Sequence, residues 1–195
     1  MEYGQEIMAQ YNRRWIRVYQ AYNPAIAQEA VALQRFGNQF QTNRMTWIKP
    51  SFLWMMYRSN WGTKKNQEHI LAIDVCRSVF DELLKKATLT SPDSPCYTGE
   101  QWRKAFDEAT VYCQWDPDRN INGDPIHRAA IQIGLKGEAL KEFLDMGICR
   151  VQDFTPMVRK WNQRRKNGGL SLRDLPEEKQ YPVEDPKVRK RLNMK

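Results

Sequence analysis

Short apolar stretches along this chain are separated by Gly, Pro, Asn and Asp, and their periodicity changes from one stretch to the next. Residues 15–22, WIRVYQAY, are β-branched and aromatic with partial alternation, which predicts a strand ending at Asn23-Pro24. The following PAIAQEAVALQRFG has apolar residues at helical spacing. Asn23 can cap this segment, Pro24 suits a first helical turn and Gly37 supplies a stop, so a helix is predicted.

The segment RMTWIKPSFLWMMYRSNW, residues 44–61, predicts a short strand followed directly by a helix. Lys49 precedes Pro50 and is expected to be extended, because a helical residue before proline clashes with its ring. The helix is then expected to begin near Ser51 and to run through FLWMMYRS. Lys49 and Ser51 would lie at a strand-to-helix corner, where a helix N-terminus offers free amides and partial positive charge.

The remaining pattern predicts strands and helices in an order that mixes hairpin-like and crossover connections. Strands are expected over residues 67–75, 110–116 and 129–135, and helices over 76–87, 100–109, 136–147 and 155–166. Residues 117–128 are rich in Asn, Gly, Asp and Pro and predict a loop. We therefore expect a single compact α+β domain over residues 1–181 and a proline-broken basic tail over 182–195.

The composition limits the classes of protein to which this chain can belong. A chain of 195 residues with 41% hydrophobic and 28% charged residues is typical of one globular domain, and no apolar run approaches the ~20 residues of a membrane span. No secretory signal is visible, so a cytoplasmic protein is predicted. The four cysteines form no CxxC pair and only two histidines are present, which predicts no metal site and free, mostly buried thiols.

The net charge of +8 is concentrated near the C-terminus. Residues 150–195 hold 13 Lys/Arg against 6 Asp/Glu, whereas residues 1–149 hold 18 against 17. The dense clusters are RKWNQRRK (159–166) and KVRKR (187–191). Such clusters can bind nucleic acid through release of counterions, and they can equally be a solvated helix face and a disordered tail.

Residues 44–61 combine aromatic rings with cations and hydroxyls, which a dry core would exclude. Rings that stack and cations that hold phosphate are what a pocket for an anionic, ring-bearing ligand needs. We interpret the stretch as the floor of a binding site. The alternative is a buried helix whose cations extend outward to solvent. The candidate contacts in this stretch are Arg44, Thr46, Trp47, Lys49, Ser51, Trp54 and Tyr57.

Four polar residues lie in or beside the predicted strands: Gln20, Gln132, Asp116 and Asp118. Gln20 and Gln132 are each a lone amide within an apolar run, and a buried amide must have hydrogen-bond partners. Asp116 and Asp118 follow another strand beside Arg119, where they can bind ribose hydroxyls, act in acid–base chemistry or simply make an Asp-Pro turn. A polar pocket shared by both glutamines is expected, with a solvent-facing strand as the alternative for Gln20.

Familiar nucleotide and hydrolase motifs are absent: neither GxGxxG, a P-loop, GxSxG nor HExxH occurs. Four strings nevertheless resemble a family known as domain of unknown function 4291. They are VYQAY, RMTWIKPSFLWMMYRSNW followed by KKNQEHILAI, QWDPDRN, and IQIGLKG. The resemblance spans about residues 15–181, and the second string is long enough to be specific. The family name itself implies no activity.

A more remote resemblance is to the ADP-ribosyltransferase superfamily, which consists of small α+β domains with a mixed sheet and flanking helices. It implies NAD as substrate and transfer of ADP-ribose to a macromolecule. Gln20 falls where that superfamily has a first-strand Arg or His, Ser51 and Tyr57 match the strand–helix corner, and Gln132 replaces the late-strand Glu.

By this resemblance Arg44 and Lys49 would hold the pyrophosphate, and Trp47, Trp54 and Tyr57 would stack on the rings. Tyr19 and Thr46 would add cofactor contacts. Gln20 and Gln132 would orient ribose, and Asp116 would stabilise an oxocarbenium-like ribose. Two other classes remain open: a non-catalytic nucleic-acid-binding module using residues 44–61 and the basic C-terminus, and a partner-binding protein.

Overall fold

The computed structural model describes residues 4–194, and its strands form a mixed α+β fold. The strands are β1 (Gly4–Gln5), β2 (Met8–Ala9), β3 (Trp15–Tyr22), β4 (Thr46–Ile48), β5 (His69–Cys76), β6 (Ala87–Leu89), β7 (Val111–Arg119), β8 (Pro125–Leu135), β9 (Ile148–Asp153) and β10 (Lys179–Gln180). The helices are α1 (Pro24–Leu33), α2 (Phe52–Ser59), α3 (Arg77–Lys86), α4 (Gly99–Glu108), α5 (Gly137–Glu142), α6 (Thr155–Lys166) and α7 (Pro186–Arg191). The predicted fold class is confirmed.

Three strands form the smaller main sheet, in the order β3-β5-β9 with antiparallel pairs throughout. The central strand β5 is buried on both faces from Ile70 to Val75, which explains its nearly continuous apolar sequence.

Five strands form the larger sheet. Its path is β1-β8-β7-β6, and β4 pairs with β8 beyond the end of the short β1 pairing. The β1–β8 and β6–β7 pairs are parallel, whereas β7–β8 and β4–β8 are antiparallel.

The two sheets enclose the main hydrophobic core. Ile16 and Val18 of β3 belong to this core together with Ile131 and Ile133 of β8. One backbone contact joins the sheets where they meet, because the amide of Tyr19 donates to the Lys49 carbonyl at 2.8 Å. Strand β4, which precedes α2, is therefore held against β3.

A second, smaller core covers the other face of β3 and β5. Helices α2 and α6 supply it with Phe52, Met56 and Val158, which pack around Tyr19 and Ala72. Helix α2 begins where it was expected, because the Ser51 side chain accepts from the Trp54 amide as N-cap. The chain leaves the helix at Asn60 in a left-handed conformation.

Several elements differ from the sequence-based expectation. Helix α1 ends at Leu33 with Gln34 left-handed, before Gly37. The predicted loop over residues 117–128 is largely a hairpin, because β7 and β8 pair outward to a tight turn at residues 120–124. The strand β9 was not predicted, since only Ile148 and Val151 are apolar among its polar neighbours.

The expected tail over residues 182–195 is not separate from the domain as far as it is described. Val188 of α7 and Leu192 lie in the main core. The Trp115 indole donates to the Leu192 carbonyl at 2.9 Å, and Arg191 donates to three backbone carbonyls at the end of α3. Two apolar side chains four residues apart, together with these hydrogen bonds, dock an otherwise charged segment.

The expectation of four free thiols is also wrong. Cys76 and Cys149 form a disulfide that links the end of β5 to the start of β9, while Cys96 and Cys113 are free. The β5–β9 pairing brings these two cysteines together although 73 residues separate them, which spacing along the chain does not reveal. Among the described residues, no helix is both long enough and apolar enough to cross a membrane.

Candidate functional site

The two faces of β4 lead to two different polar groups of residues. Side chains alternate along a strand, so Thr46 and Ile48 share one face and Trp47 the other. Ile48 lies in the core between the sheets, which places Thr46 on that inner side. Lys49 continues the Trp47 side. We call the Lys49 side of the larger sheet the outer face.

Lys49 is a buried cation at the strand–helix corner. Its residue is 8% exposed, and its ammonium donates to the Trp47 carbonyl at 3.1 Å. Burial lowers the pKa of Lys49 to about 8; the charge of Arg58 also lowers it, and the carboxylate of Asp116 opposes the fall. An anion beside this ammonium would favour its charged form.

Asp116 lies on the outer face, held by two side-chain amides. Gln114 and Gln132 are directly opposite each other in the β7–β8 register, and Asp116 is two residues from Gln114 on the same strand. Gln132 donates to Oδ2 at 2.7 Å and Gln114 to Oδ1 at 3.0 Å. The amides orient the carboxylate without neutralising it, which leaves a fixed negative charge near the Lys49 ammonium.

An aromatic and guanidinium stack lies on α2. The rings of Trp54 and Tyr57 are stacked at 5.4 Å, and the Arg119 guanidinium lies over Tyr57 at 3.9 Å from its centroid. Tyr57 is 42% exposed. The Trp54 indole N–H and the Arg119 Nε are both buried without a hydrogen-bond partner among the described residues. This stack therefore has unused donors and one accessible ring.

Ser51 is committed to the structure of the corner. Its hydroxyl donates to Asp118 Oδ1 at 3.0 Å while it caps α2, and Asp118 also accepts from Arg128. The Glu178 carboxyl accepts from the Phe52 amide at 2.6 Å. Burial raises the pKa of Glu178 to about 8, the Phe52 amide lowers it, and the neighbouring Asp118 charge raises it further. With this capping role and an acceptor for its proton, Ser51 has no donor left for a cofactor.

Tyr19 lies deep in the smaller core. It is fully buried, its hydroxyl has no partner among the described residues, and its ring meets Phe52 edge-on at 5.3 Å. Burial raises its pKa well above the ordinary value, and the charge of Glu178 adds to the effect. Tyr19 shapes the packing under α2 rather than any accessible surface.

Gln20, Thr46 and Arg44 belong to the inner side of β4. The Gln20 amide donates to the Thr46 hydroxyl at 2.8 Å and to the Trp47 carbonyl at 3.2 Å. Thr46 is 3.0 Å from the Tyr22 hydroxyl, and both residues line a cavity together with the exposed Arg44. The pocket expected to be shared by the two glutamines is not formed, because alternation puts Gln20 and Gln132 on opposite faces of the β4–β8 pair.

The structure also corrects the expectation that residues 44–61 line a single pocket. Arg44 lines the inner cavity, whereas Lys49 lies on the outer face. Trp47 covers Gly134 of β8, where an added Cβ would come within 2.9 Å of its ring. Trp61 is in the smaller core with the methionines of α2. The stretch is thus partly a buried helix, as the alternative interpretation held.

Sequence reasoning did not assign roles to Gln114, Arg119 or Glu178. Gln114 stands two residues before Asp116, so strand periodicity alone places both on one face. Arg119 was noted only as a neighbour of two aspartates. Glu178 reaches the Phe52 amide across 126 residues, and no local pattern predicts that contact.

No group of three or more His, Cys, Asp or Glu residues that could hold a metal ion occurs within residues 4–194. Fold and site together define an α+β domain whose two sheets meet at a lysine-bearing strand–helix corner. A family model for a domain of unknown function, DUF4291, matches residues 6–181, and the chain belongs to that family. No curated protein matches it.

Proposed function

We propose that this protein binds NAD on the outer face and transfers ADP-ribose to an acceptor, as the resemblance to ADP-ribosyltransferases implies. The observation that carries the proposal is the Asp116 carboxylate, which Gln114 and Gln132 hold and whose charge acts on the buried Lys49 ammonium. A fixed anion and a cation on one face match a substrate whose ribose becomes positive while its pyrophosphate stays negative.

Each part of NAD has a counterpart among these residues. Lys49 and Arg119 supply positive charge for the pyrophosphate, and Arg58 lies close enough to Lys49 to influence its pKa. The exposed ring of Tyr57 offers a stacking surface for nicotinamide or adenine. The unpartnered indole N–H of Trp54 can donate to a carboxamide oxygen.

The chemical step follows from this placement. As the ribose–nicotinamide bond breaks, its electron pair neutralises the pyridinium, and nicotinamide leaves without needing a proton. Positive charge develops at the ribose carbon, where the Asp116 carboxylate stabilises it. An acceptor oxygen or nitrogen then attacks that carbon and loses its proton to solvent. Gln132 acts here as a positioning residue that keeps the Asp116 carboxylate oriented.

Release of nicotinamide from NAD tests the proposal. The wild-type protein should release nicotinamide, and Asp116→Asn should slow this roughly 100-fold, a typical loss for one transition-state electrostatic contact. Asp145→Asn, at an exposed carboxylate on the turn after α5, is the matched control and should be unaffected. A folded wild-type protein that neither binds NAD nor releases nicotinamide would refute the assignment.

A second candidate, binding of single-stranded nucleic acid, is favoured by the composition of α6. The helix carries five Lys/Arg and no acid, Arg159 and Lys160 are exposed, and Arg165 lies over the Trp61 ring at 5.2 Å. Exposed cations along a helix suit a phosphate backbone. The same surface would serve an acceptor nucleic acid.

The salt dependence of oligonucleotide binding tests this second candidate. Changing Arg159 and Lys160 to Gln should flatten the slope of log affinity against log salt by roughly 0.7 per lost phosphate contact. Arg103→Gln with Lys104→Gln on α4 removes the same charge from another exposed helix face and should leave the slope unchanged. Equal slopes in all three proteins would exclude α6 as the contact.

A further inference from the structure

A cavity of about 440 Å³ opens on the inner side of β4, away from Lys49 and Asp116. Tyr22 and Thr46 contribute hydroxyls to its lining, Arg44 contributes a guanidinium, and Ile26 and Phe40 contribute apolar surface. No Asp or Glu is among the residues that line it. The cavity is within the usual size range of small-ligand sites.

The Tyr22 and Thr46 hydroxyls in this cavity carry two protons, and only one of these protons has an acceptor among the described residues. Thr46 accepts from the Gln20 amide, and a single contact of 3.0 Å joins the Thr46 and Tyr22 oxygens. Whichever of the two hydroxyls donates in that contact, the proton of the other has no acceptor within residues 4–194. The pair therefore presents one free O–H donor to the cavity.

Gln20, which donates to the Thr46 hydroxyl, has an acceptor that no described residue uses. Gln20 is 3% exposed, and its side-chain carbonyl oxygen is buried without a partner in the described part of the chain. Its amide nitrogen is fixed by two bonds, to Thr46 and to the Trp47 carbonyl, so exchanging the two ends of the side chain would break the second. Gln20 does not itself line the cavity, and its fixed amide holds the Thr46 hydroxyl in place behind the lining.

Arg44 gives the cavity its charge. Its side chain is exposed and makes no ion pair or hydrogen bond to any residue between 4 and 194. Glu68, the carboxylate nearest in sequence to the lining residues Asn66 and Gln67, accepts from the Asn66 amide at 2.9 Å. The guanidinium of Arg44 is thus free to pair with an anion from solution.

We propose that this cavity is a binding site for a small organic anion with a flat apolar part, separate from the outer-face site. Arg44 and the free hydroxyl hold a carboxylate or a phosphate, and the apolar part packs on Phe40 and Ile26. A neutral molecule of the same shape leaves Arg44 without a partner and binds more weakly.

Three probes distinguish these features: benzoate, phenyl phosphate and the neutral benzamide. Binding is followed through the NMR resonances of the Gln20 side-chain amide and the Thr46 backbone amide. At least one anionic probe should shift these resonances at millimolar concentration, and benzamide should bind roughly tenfold more weakly, since a charge-assisted hydrogen bond is lost. The anion that binds better identifies the group the site prefers.

Arg44→Met should remove this preference for an anion, whereas Arg35→Met, an exposed arginine that does not line the cavity, should keep it. Because Arg44 is exposed and has no hydrogen-bond or ion-pair partner among residues 4–194, its variant is expected to fold. Asp116→Asn should leave benzoate binding unchanged, so failure here is distinct from failure of the proposed NAD site. The inference is overturned if no anionic probe moves the Gln20 resonances, or if Arg44→Met binds benzoate as well as the wild type does.

Discussion

Lys49 and Gln20 donate to the same acceptor, the carbonyl oxygen of Trp47, at 3.1 and 3.2 Å. The lysine approaches from the outer face and the glutamine from the inner side. One carbonyl therefore connects the proposed NAD site to the anion cavity. Because the Gln20 bond remains when Lys49 is replaced, the contribution of the ammonium can be measured without leaving that carbonyl unpaired.

We expect Lys49→Met to stabilise the fold while weakening NAD binding. A lysine whose folded pKa is about 8, against an ordinary 10.5, is unfavourable as a buried cation at neutral pH, by an amount on the order of 3 kcal/mol before relaxation. Methionine fills a similar volume without that cost. Urea unfolding at pH 7 should give a gain of roughly 1–2 kcal/mol, and calorimetry should show the loss of NAD affinity.

The pH dependence of Lys49→Met provides the matched check. The unfolded wild-type chain keeps the lysine protonated up to about pH 10.5, whereas the folded form releases the proton near pH 8. Wild-type stability should therefore rise as pH increases from 8 to 10.5, relative to the variant. A stability difference between the two proteins that stays constant across this range would show that folding does not lower the pKa of Lys49.

Glu178→Gln should remove the pH dependence of stability that the ionisation of Glu178 causes between pH 4.5 and 8. The folded pKa of about 8 lies above the ordinary 4.5, so the folded protein holds a proton that the unfolded chain has lost between these values. Stability of the wild type should fall as pH rises from 4.5 through 8, because the buried carboxyl must ionise. The Gln side chain still accepts from the Phe52 amide. We expect the Glu178→Gln variant to be more stable than the wild type by roughly 2 kcal/mol at pH 9, and this gain should vanish below pH 5.

Gly134→Ala should disturb the outer face directly. A Cβ at this position would lie 2.8 Å from the Met45 sulfur and 2.9 Å from the Trp47 ring, so both side chains must move. The expected loss of stability is roughly 1–3 kcal/mol, with a change in tryptophan fluorescence. Gly99→Ala is the control, since a Cβ there meets nothing within 4 Å and the position starts a helix. Equal stability of both variants would mean that Trp47 is not fixed against β8.

The Cys76–Cys149 disulfide predicts a redox-dependent stability. Replacing both cysteines by serine should lower the free energy of unfolding by roughly 2–4 kcal/mol, because the bond closes a loop with a sequence separation of 73 residues. Reductant should bring the wild type to the level of the double variant and leave that variant unchanged. Cys96→Ser, at an exposed free thiol, serves as the control. If reductant had no effect on the wild type, the bond would be absent in solution.

Elements with local signals were predictable from the sequence, and those that depend on distant partners were not. The strand–helix corner follows from Lys49-Pro50 and the Ser51 cap, which act within a few residues. Strand β9 and the docking of α7 depend on surfaces supplied by β5 and the core, so their polar sequences conceal them.

The candidate site shows the same division between features with local signals and features that depend on distant partners. Asp116 and Gln132 were both identified as polar residues in apolar strands, yet their hydrogen bond depends on the β7–β8 register, which the sequence does not specify. Gln20 was identified by the same reasoning and lies on the other side of β4. A residue's polarity indicated that it needs a partner, but the pairing of strands decided which partner it finds.

The main core contains residues from both ends of the described chain, Ile7 and Ala9 near the start and Val188 and Leu192 near the end. Strand β10 also pairs with β2, and the Tyr181 amide donates to the Ile7 carbonyl at 2.7 Å. During synthesis on the ribosome this core cannot close until residues 188–192 have emerged from the exit tunnel. Closure of the domain should consequently wait for these residues, and a nascent chain stalled before residue 180 should remain sensitive to protease.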